Sequence, residues 1–473
     1  MCKDRMHRKK MKRDGTQLDL FSDGIEPAGE AADGIGDATC AGDELSSRWR
    51  EQQARTANIM EGVADYANLD RALRQVERND GSSGVDGMGA KDLREWLSKN
   101  IAPLAKSLLD ESYKASPVRK VEIAKESGGV RTLGIPTAKD RLVQQAIHQQ
   151  LSRLYDPHFS ESSFGFRPGR GAHHAVEQSA LYIREGFEWV VDIDLESFFD
   201  KINHDRLMTR LSKGIGDKRL LHLIDSFLKA GMMVGGVEEQ RAAGTPQGGP
   251  LSPLLSNIVL DELDKELEGR GHRFCRYADD CNIYVKSRKA GERVMKSVVR
   301  FIERKLKLKV NTAKSGVRHC AEVKFLGYTI LPGGGKRVAD KAVAKLKRKV
   351  KAITRRNRGV SFGTVLAELN AMTLGWANYF RKADKWLSTF RDMDGWMRRK
   401  LRCYKLKQCG RVYAVFKLMR SHGVTEKKSW NVAMYSQGWW NMSNHPSVSQ
   451  AMGLDWFVRQ GLHSLENRMK AKG

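Results

Sequence analysis

Two short acidic clusters carry most of the chemical information in this chain. In Tyr277-Ala278-Asp279-Asp280 two adjacent carboxylates are flanked by apolar runs. Neighbouring carboxylates at a turn repel each other, and a shared divalent cation relieves that repulsion. Taken alone, the tetrapeptide also reads as an ordinary acidic β-turn, where Asp is common. The second cluster, Val190-Val191-Asp192-Ile193-Asp194-Leu195-Glu196, is an apolar strand that ends in carboxylates. Strand alternation puts Asp192 and Asp194 on one face. If both segments join one sheet, Asp194 comes beside Asp279, which is what a two-metal phosphoryl-transfer site needs. One ion would activate an attacking 3′-hydroxyl; the other would hold a triphosphate and stabilise the departing pyrophosphate. Hard oxygen ligands select Mg²⁺, two ions in all, and the backbone carbonyl of Leu195 is a candidate further ligand.

Other residues suit such a site. Lys125 and Arg131 flank a Ser-Gly-Gly turn and can clamp the β- and γ-phosphates of a nucleotide, although both also read as surface cations. Gln247, inside Gly-Thr-Pro-Gln-Gly-Gly, combines an amide with a backbone free to approach a template closely. Phe199 lies five residues after Asp194. An aromatic there can press on a sugar C2′ and exclude a 2′-hydroxyl; core packing explains it equally well.

These groups need elements to hold them. Hydrophobic periodicity predicts helices over about 66–78, 91–98, 139–155 and 172–184, and a hairpin over 118–135. A strand passes into a helix at 188–199, two helices follow within 204–230, and a Gly/Pro loop feeds a long apolar helix after 244. A hairpin over 274–287 has the aspartates at its tip. An amphipathic helix over 292–308 and a strand over 323–331 complete an α+β unit with an antiparallel sheet. From Lys336 onward the pattern is helical, with 30 Lys and Arg against 8 Asp and Glu. Within Lys341–Arg358, Val343, Leu346, Val350 and Ile353 form an apolar stripe and nine of 18 residues are basic, with no acidic residue among them. That predicts a helix whose cations, Lys345, Lys349, Arg355 and Arg356 among them, face nucleic acid. Aromatics interleaved with these cations, Trp376, Tyr379, Trp386, Trp396, Tyr404, Tyr413, Trp430, Trp439, Trp440 and Trp456, suit stacking on unpaired bases, with half or more assigned to packing.

Composition narrows the class. A formal net charge of +27 over 473 residues calls for a polyanionic partner. No run of 18 apolar residues is present, so no transmembrane helix and no membrane association are expected. Seven scattered cysteines without a CxxC pair argue against a disulfide framework or structural zinc and fit a reducing cytoplasm. Residues 14–47 hold nine acidic side chains and no Lys or Arg. With the basic cluster Arg8, Lys9, Lys10, Lys12, Arg13 before them, they predict a disordered leader over residues 1–50.

Eight blocks in order resemble the reverse transcriptases encoded by bacterial group II introns. They are SSGVDG, VRTLGIPTAKDRLVQQAI, FGFRPGRGAHHAV, VVDIDLESFFDKINHDRL, GTPQGGPLSPLLSNIVLDELD, RYADD, LKLKVNTAKSGV with VKFLGYTI, and GWANYFRKAD. The resemblance implies a right-hand polymerase fold, with fingers and palm over 51–333 and an all-α thumb and maturase domain over 334–473. It implies that Asp194, Asp279 and Asp280 are the catalytic aspartates, Asp194 and Asp279 being the primary metal ligands. Phe199 matches the steric-gate aromatic. Lys125 and Arg131 match the triphosphate clamp, Gln247 and Gly248 border the nucleotide pocket, and Lys314 matches the basic residue after the aspartate pair. Asp192 has no required role in the pattern, and Asp200 and His204 read as structural. The implied partners are intron RNA, an RNA template with DNA primer, target DNA and dNTPs, with action in the bacterial cytoplasm, on the nucleoid when DNA is the target. The implied work is reverse transcription, assistance to splicing and target-primed mobility. No His-Asn-His cluster follows GWANYFRKAD, so no endonuclease activity is expected, and priming from nascent strands at replication forks follows by analogy. The alternatives are a splicing-only maturase with a decayed polymerase site, a retron-like or defence enzyme, and a protein-primed RNA replicase. The intact aspartates oppose the first, the GWANYF segment the second, and Phe199 with the block order the third.

Overall fold

The computed structural model describes residues 51–124, 129–234, 237–239, 244, 248–384, 387–435 and 437–470. The leader over 1–50, Lys125, Gln247 and Trp386 lie outside them. The fold is α+β followed by an all-helical C-terminal region.

Its centre is an antiparallel sheet of β3 (Trp189–Asp194), β6 (Arg273–Tyr277), β7 (Asp280–Val285) and β8 (Gly316–His319), in the order β6-β7-β3-β8. Val191, Ile193, Cys281 and Ile283 face the larger core. Val190, Cys275 and Tyr284 face a smaller one beneath the helix Ala172–Arg184. Both faces are covered, which is why these strands read as near-continuous apolar runs. A second sheet joins β1 (Val118–Ala124) and β2 (Val130–Ile135) as the expected hairpin and adds β4 (Met232–Val234) and β5 (Val237–Glu239). β4 runs parallel to β1.

The helix Ala138–Tyr155 follows β2 along the chain. Its start is fixed by Thr137, whose hydroxyl accepts from the Asp140 amide at 3.1 Å while donating to the Asp140 carboxylate at 2.6 Å. Asp140 also accepts from the Tyr113 hydroxyl at 2.9 Å. Gly84 lies so close to Thr137 that an added Cβ would sit 2.6 Å from its Cα, so the SSGVDG block closes over this helix start.

Several expected boundaries move. The short helix over 91–98 extends to Asp92–Leu109 and runs through Pro103. Burial of Leu93, Leu97, Leu104 and Leu108 outweighs the hydrogen bond that Pro103 removes. The amphipathic helix over 292–308 is α-helical only over Arg288–Phe301 and widens into a π turn at Ile302–Leu306. The strand over 323–331 shrinks to β9 (Tyr328–Ile330), because Leu326 and Gly327 adopt left-handed φ of 50° and 81°. That turn lets Gly327 pack on Phe380, with its Cβ position 3.1 Å from the ring. The basic helix over 341–358 is Asp340–Ile353, ending where the Thr354 hydroxyl donates to the Val350 carbonyl at 2.7 Å.

The C-terminal helices enclose their own core, which reaches back to Val176 and Tyr328. GWANYFRKAD makes that connection. The Tyr328 hydroxyl donates to the Tyr379 carbonyl at 2.6 Å, the Tyr379 hydroxyl to the Leu326 carbonyl at 2.8 Å, and Lys382 pairs with Glu177 at 2.5 Å. Asp384 accepts from the amide of Lys336, in β10 (Lys336–Val338), at 2.9 Å. The motif therefore braces the helical region against β9, β10 and the helix Ala172–Arg184. No described helix is long and apolar enough to cross a membrane. Tyr328→Ala empties a fully buried position beside Phe380. It should cost about 3–5 kcal/mol, read from the urea midpoint of unfolding.

Candidate active site

β3 and β7 pair so that Asp194 stands opposite Asp280, and Asp192 opposite Asn282. The two acidic clusters, more than 80 residues apart in sequence, therefore meet at one end of one sheet. Asp279 caps the hairpin turn beside them. Burial pushes the Asp279 carboxyl above the usual range and the charge of Asp194 pushes it further, while Arg131 and Lys314 pull it back. Those couplings put the fingers-side hairpin, the sheet and the segment after β7 within electrostatic reach of one point. Asp280 is pushed up to about 8, first by burial and then by Asp192, Asp279 and Asp194. The Asp192 carboxyl is raised by burial and partly restored by Arg318, 2.8 Å away.

Leu195 is pinned from both sides. It bridges Val310, the Glu196 amide donates to the Lys309 carbonyl at 2.9 Å, and the Asn311 amide to the Asp194 carbonyl at 2.8 Å. The Asp194 amide donates to the Ser315 hydroxyl at 2.9 Å. Lys314 brings its ammonium to 3.4 Å from both Asp194 carboxylate oxygens.

The turn bearing the aspartates is held from beneath by Arg276, which is fully buried. It pairs with fully buried Asp264 at 2.5 and 2.7 Å and donates to Asn257 Oδ1 at 3.0 Å and to Ser163 Oγ at 2.8 Å. A further donation, at 3.0 Å, goes to the carbonyl of Ala278 inside the turn. Ala278 has φ +58°, a conformation that costs a non-glycine residue energy and needs such support. Gly165 presses on the same turn: an added Cβ would lie 2.4 Å from the Ala278 amide nitrogen. Asn257 holds Gly165 in turn, donating to its carbonyl at 2.9 Å. Asn257, Asp264 and Arg276 fall inside the blocks quoted above and Ser163 just before one, but the sequence alone assigns none of the four a role at the site.

Of the remaining candidates, Phe199 follows Ser197, whose left-handed φ of 50° turns the chain from β3 into the short helix Phe198–Lys201. Phe199 is half-buried and edge-on to Phe198 at 5.4 Å. Gly244, at φ +86°, backs onto Phe199 and Asp200, and His204 Nε2 bonds its carbonyl at 2.6 Å. His204 thus fastens the glycine-rich loop to the first acidic segment. Gly248 lies against β2, its Cβ position 2.9 Å from the Gly134 carbonyl. Arg131, exposed on β2, is three residues along the same strand.

This donor set fits a divalent cation. Asp194 and Asp279 are hard carboxylates at one end of one sheet, and a dication between them offsets the charge of both. Among the described residues no three His, Cys, Asp or Glu side chains form a closed cage.

In the C-terminal region Lys345, Lys349, Arg355 and Arg356 are all exposed, the last two on the loop beyond the basic helix. A second cationic group lies on the helix Leu387–Cys409. Arg399 stands 3.9 Å and Lys400 4.5 Å from the Trp440 ring. Burial, with Lys351, Arg356 and Arg399 nearby, lowers the Lys400 pKa. Trp376, Trp396, Tyr404, Trp439 and Trp456 belong to the core, whereas Tyr413 and Trp430 are exposed.

A carboxylate pair on a palm-like sheet, opposed by a basic hairpin and followed by a helical region, is the architecture of a reverse-transcriptase-like protein. The chain matches the family described as reverse transcriptase (RNA-dependent DNA polymerase) over residues 123–330, and the group II intron maturase-specific domain over residues 343–422. It is 33% identical over 287 residues to the Escherichia coli protein YkfC, covering 52% of this chain and 75% of that one. It is 32% identical over 325 residues to the group II intron-encoded protein LtrA of Lactococcus lactis, covering 55% of this chain and 53% of LtrA. A mitochondrial relative, nuclear intron maturase 2 of Arabidopsis thaliana, is 28% identical over 249 residues, 40% of this chain and 34% of that one. The chain belongs to the group II intron-encoded reverse transcriptase and maturase family. It spans about half the length of LtrA.

Two outcomes follow. Arg276→Gln strands Asp264 as a buried, unpaired charge and should cost about 3–5 kcal/mol, measured by urea denaturation. Asp280, raised to about 8, keeps its proton when folded while the unfolded side chain has lost it. Between the ordinary Asp range and pH 8, stability therefore falls as pH rises. In chelator-treated protein, Asp280→Asn should flatten that fall and raise the melting temperature at pH 8, by calorimetry across the pH range.

Proposed function

We propose that this chain is an active RNA-directed DNA polymerase that also binds its own intron RNA. The observation that carries the reading is the meeting of Asp194 with Asp279 and Asp280 through the β3–β7 register, within reach of Arg131 and Lys314. Residues 51–333 act as fingers and palm, and residues 334–473 as thumb and maturase domain.

In this reading Asp194, Asp279 and the Leu195 carbonyl would hold two Mg²⁺ ions, which supply Lewis acidity for attack by the primer 3′-hydroxyl and departure of pyrophosphate. Asp280 tunes the field around Asp194. Arg131, with Lys125, binds the dNTP triphosphate, and Lys314 stands beside the phosphates. Gln247 and Gly248 line the nucleotide pocket. Phe199 excludes ribonucleotides by crowding the sugar. The substrates are an RNA template with DNA primer and dNTPs.

The helical region grips the duplex and the intron RNA through phosphate-binding cations, Lys345, Lys349, Arg355 and Arg356, whose grip is largely sequence-independent. Arg399 and Lys400 around Trp440 extend that surface. Intron RNA supplies the splicing chemistry and the protein stabilises its active shape; reverse transcription at a DNA target in the nucleoid then copies the intron.

Primer extension on an RNA template with dNTPs and Mg²⁺ tests the polymerase. Asp279→Ala should abolish synthesis and leave RNA affinity within about twofold, because it removes a metal ligand and no phosphate-binding cation. If wild type and variant are both silent while RNA binding stays tight, the protein is a splicing-only maturase. Changing Lys345, Lys349 and Arg356 to Glu should weaken RNA binding and lower the slope of log affinity against log salt by about 1 for each phosphate left without its cation. An unchanged slope in filter binding would place the RNA elsewhere.

A further inference from the structure

Lys314 has no fixed place unless the turn that carries it is held. The turn's ends are tied to Asp194: the Asn311 amide donates to the Asp194 carbonyl at 2.8 Å, and Ser315 Oγ accepts from the Asp194 amide at 2.9 Å. Within it, the amides of Lys314 and Ser315 donate to the Asn311 carbonyl at 3.2 and 2.9 Å. A further tie comes from outside the turn. Arg318, on β8, folds back along its own strand and donates to the Lys314 carbonyl at 2.8 Å through Nη2. Its other arm, Nη1, meets Asp192 Oδ2 at 2.8 Å. Register explains why this is possible. Asp192 pairs with Gly316, and Gly316 and Arg318 share a strand face. Gly316 has no side chain to block the path, and the guanidinium lies across it, 3.4 Å from the position a Cβ would take.

We propose that Arg318 is a positioning residue of the polymerase site. It spans from Asp192 to the Lys314 carbonyl and so sets where the Lys314 ammonium stands relative to Asp194 and to the phosphates of an incoming nucleotide. This rests on the polymerase reading of Asp194 and Asp279. It also gives Asp192, which the sequence left without a role, the task of anchoring Arg318. The pair is partly exposed, with side chains at 34% and 24% exposure, so it adds little to global stability. What it contributes is geometric, and a displacement of about 1 Å at a reacting centre can cost about a hundredfold in rate.

The test compares Arg318→Gln, Arg318→Lys and Asp192→Asn in single-nucleotide incorporation, amide hydrogen exchange over residues 311–316 and thermal melting. Arg318→Gln should lower kcat about ten- to hundredfold with the dNTP KM within about threefold. Exchange over 311–316 should quicken, with the rest of the sheet and the melting temperature unchanged. Arg318→Lys keeps the charge but loses the two-armed span and should stay close to the Gln variant. Asp192→Asn keeps an acceptor for Nη1 and should lose less than either. Wild-type kcat and exchange in Arg318→Gln would overturn the proposal, as would full activity in Arg318→Lys. So would loosening of the whole sheet with a lower melting temperature, which marks a merely structural role. Silence of the wild-type enzyme would sink the polymerase reading instead; the exchange rates report the Arg318 tie without any catalysis.

Discussion

The acidic site at the end of the central sheet stands on one buried ion pair. Arg276 and Asp264 are both sealed from solvent, and two charges placed there are tolerable only if every donor finds an acceptor. Arg276 meets that condition by directing its remaining donors to Asn257, Ser163 and the Ala278 carbonyl. The requirement to satisfy a buried guanidinium is thereby converted into a requirement that the turn before Asp279 adopt one conformation. The same network reaches Gly165 through Asn257. Three stretches distant in sequence thus converge on the backbone of a two-residue turn.

Above that foundation the problem is electrostatic. Asp192, Asp194, Asp279 and Asp280 crowd the end of one sheet; Asp194 raises the cost of ionising Asp192 and Asp279, and these three together raise that of Asp280. Arg318, Lys314 and Arg131 offset the crowding from three sides. In the proposed reading the arrangement is unfavourable for the protein on its own and favourable once cations and phosphates enter, which is how a binding site for charged substrates differs from a structural salt bridge.

Much of this was legible in the sequence. The apolar strand ending in Asp194 and the paired aspartates at a hairpin tip predicted the sheet and its acidic end. The hairpin that carries Arg131 and the helical character after Lys336 were equally plain. What was not legible depends on packing between distant residues. Pro103 signalled a helix end, yet leucine burial on both sides carried the helix through it. The VKFLGYTI run looked like one strand because its apolar content does not reveal that Leu326 and Gly327 must turn left-handed to meet Phe380. Arg276 resembled any other strand-edge cation, and only the fold reveals the carboxylate facing it. The basic run over 341–358 gave no sign that its last residues leave the helix at Thr354.

In the proposed reading the GWANYF segment couples two activities that would otherwise be genetically separable. Its aromatic and charged side chains tie the helical region to Glu177, Leu326, Tyr328 and Lys336. A lesion in this segment changes the angle at which one half of the molecule meets the other. Splicing and DNA synthesis would then fail together, and a genetic screen scored on splicing alone would map a hinge and mistake it for an RNA-binding surface.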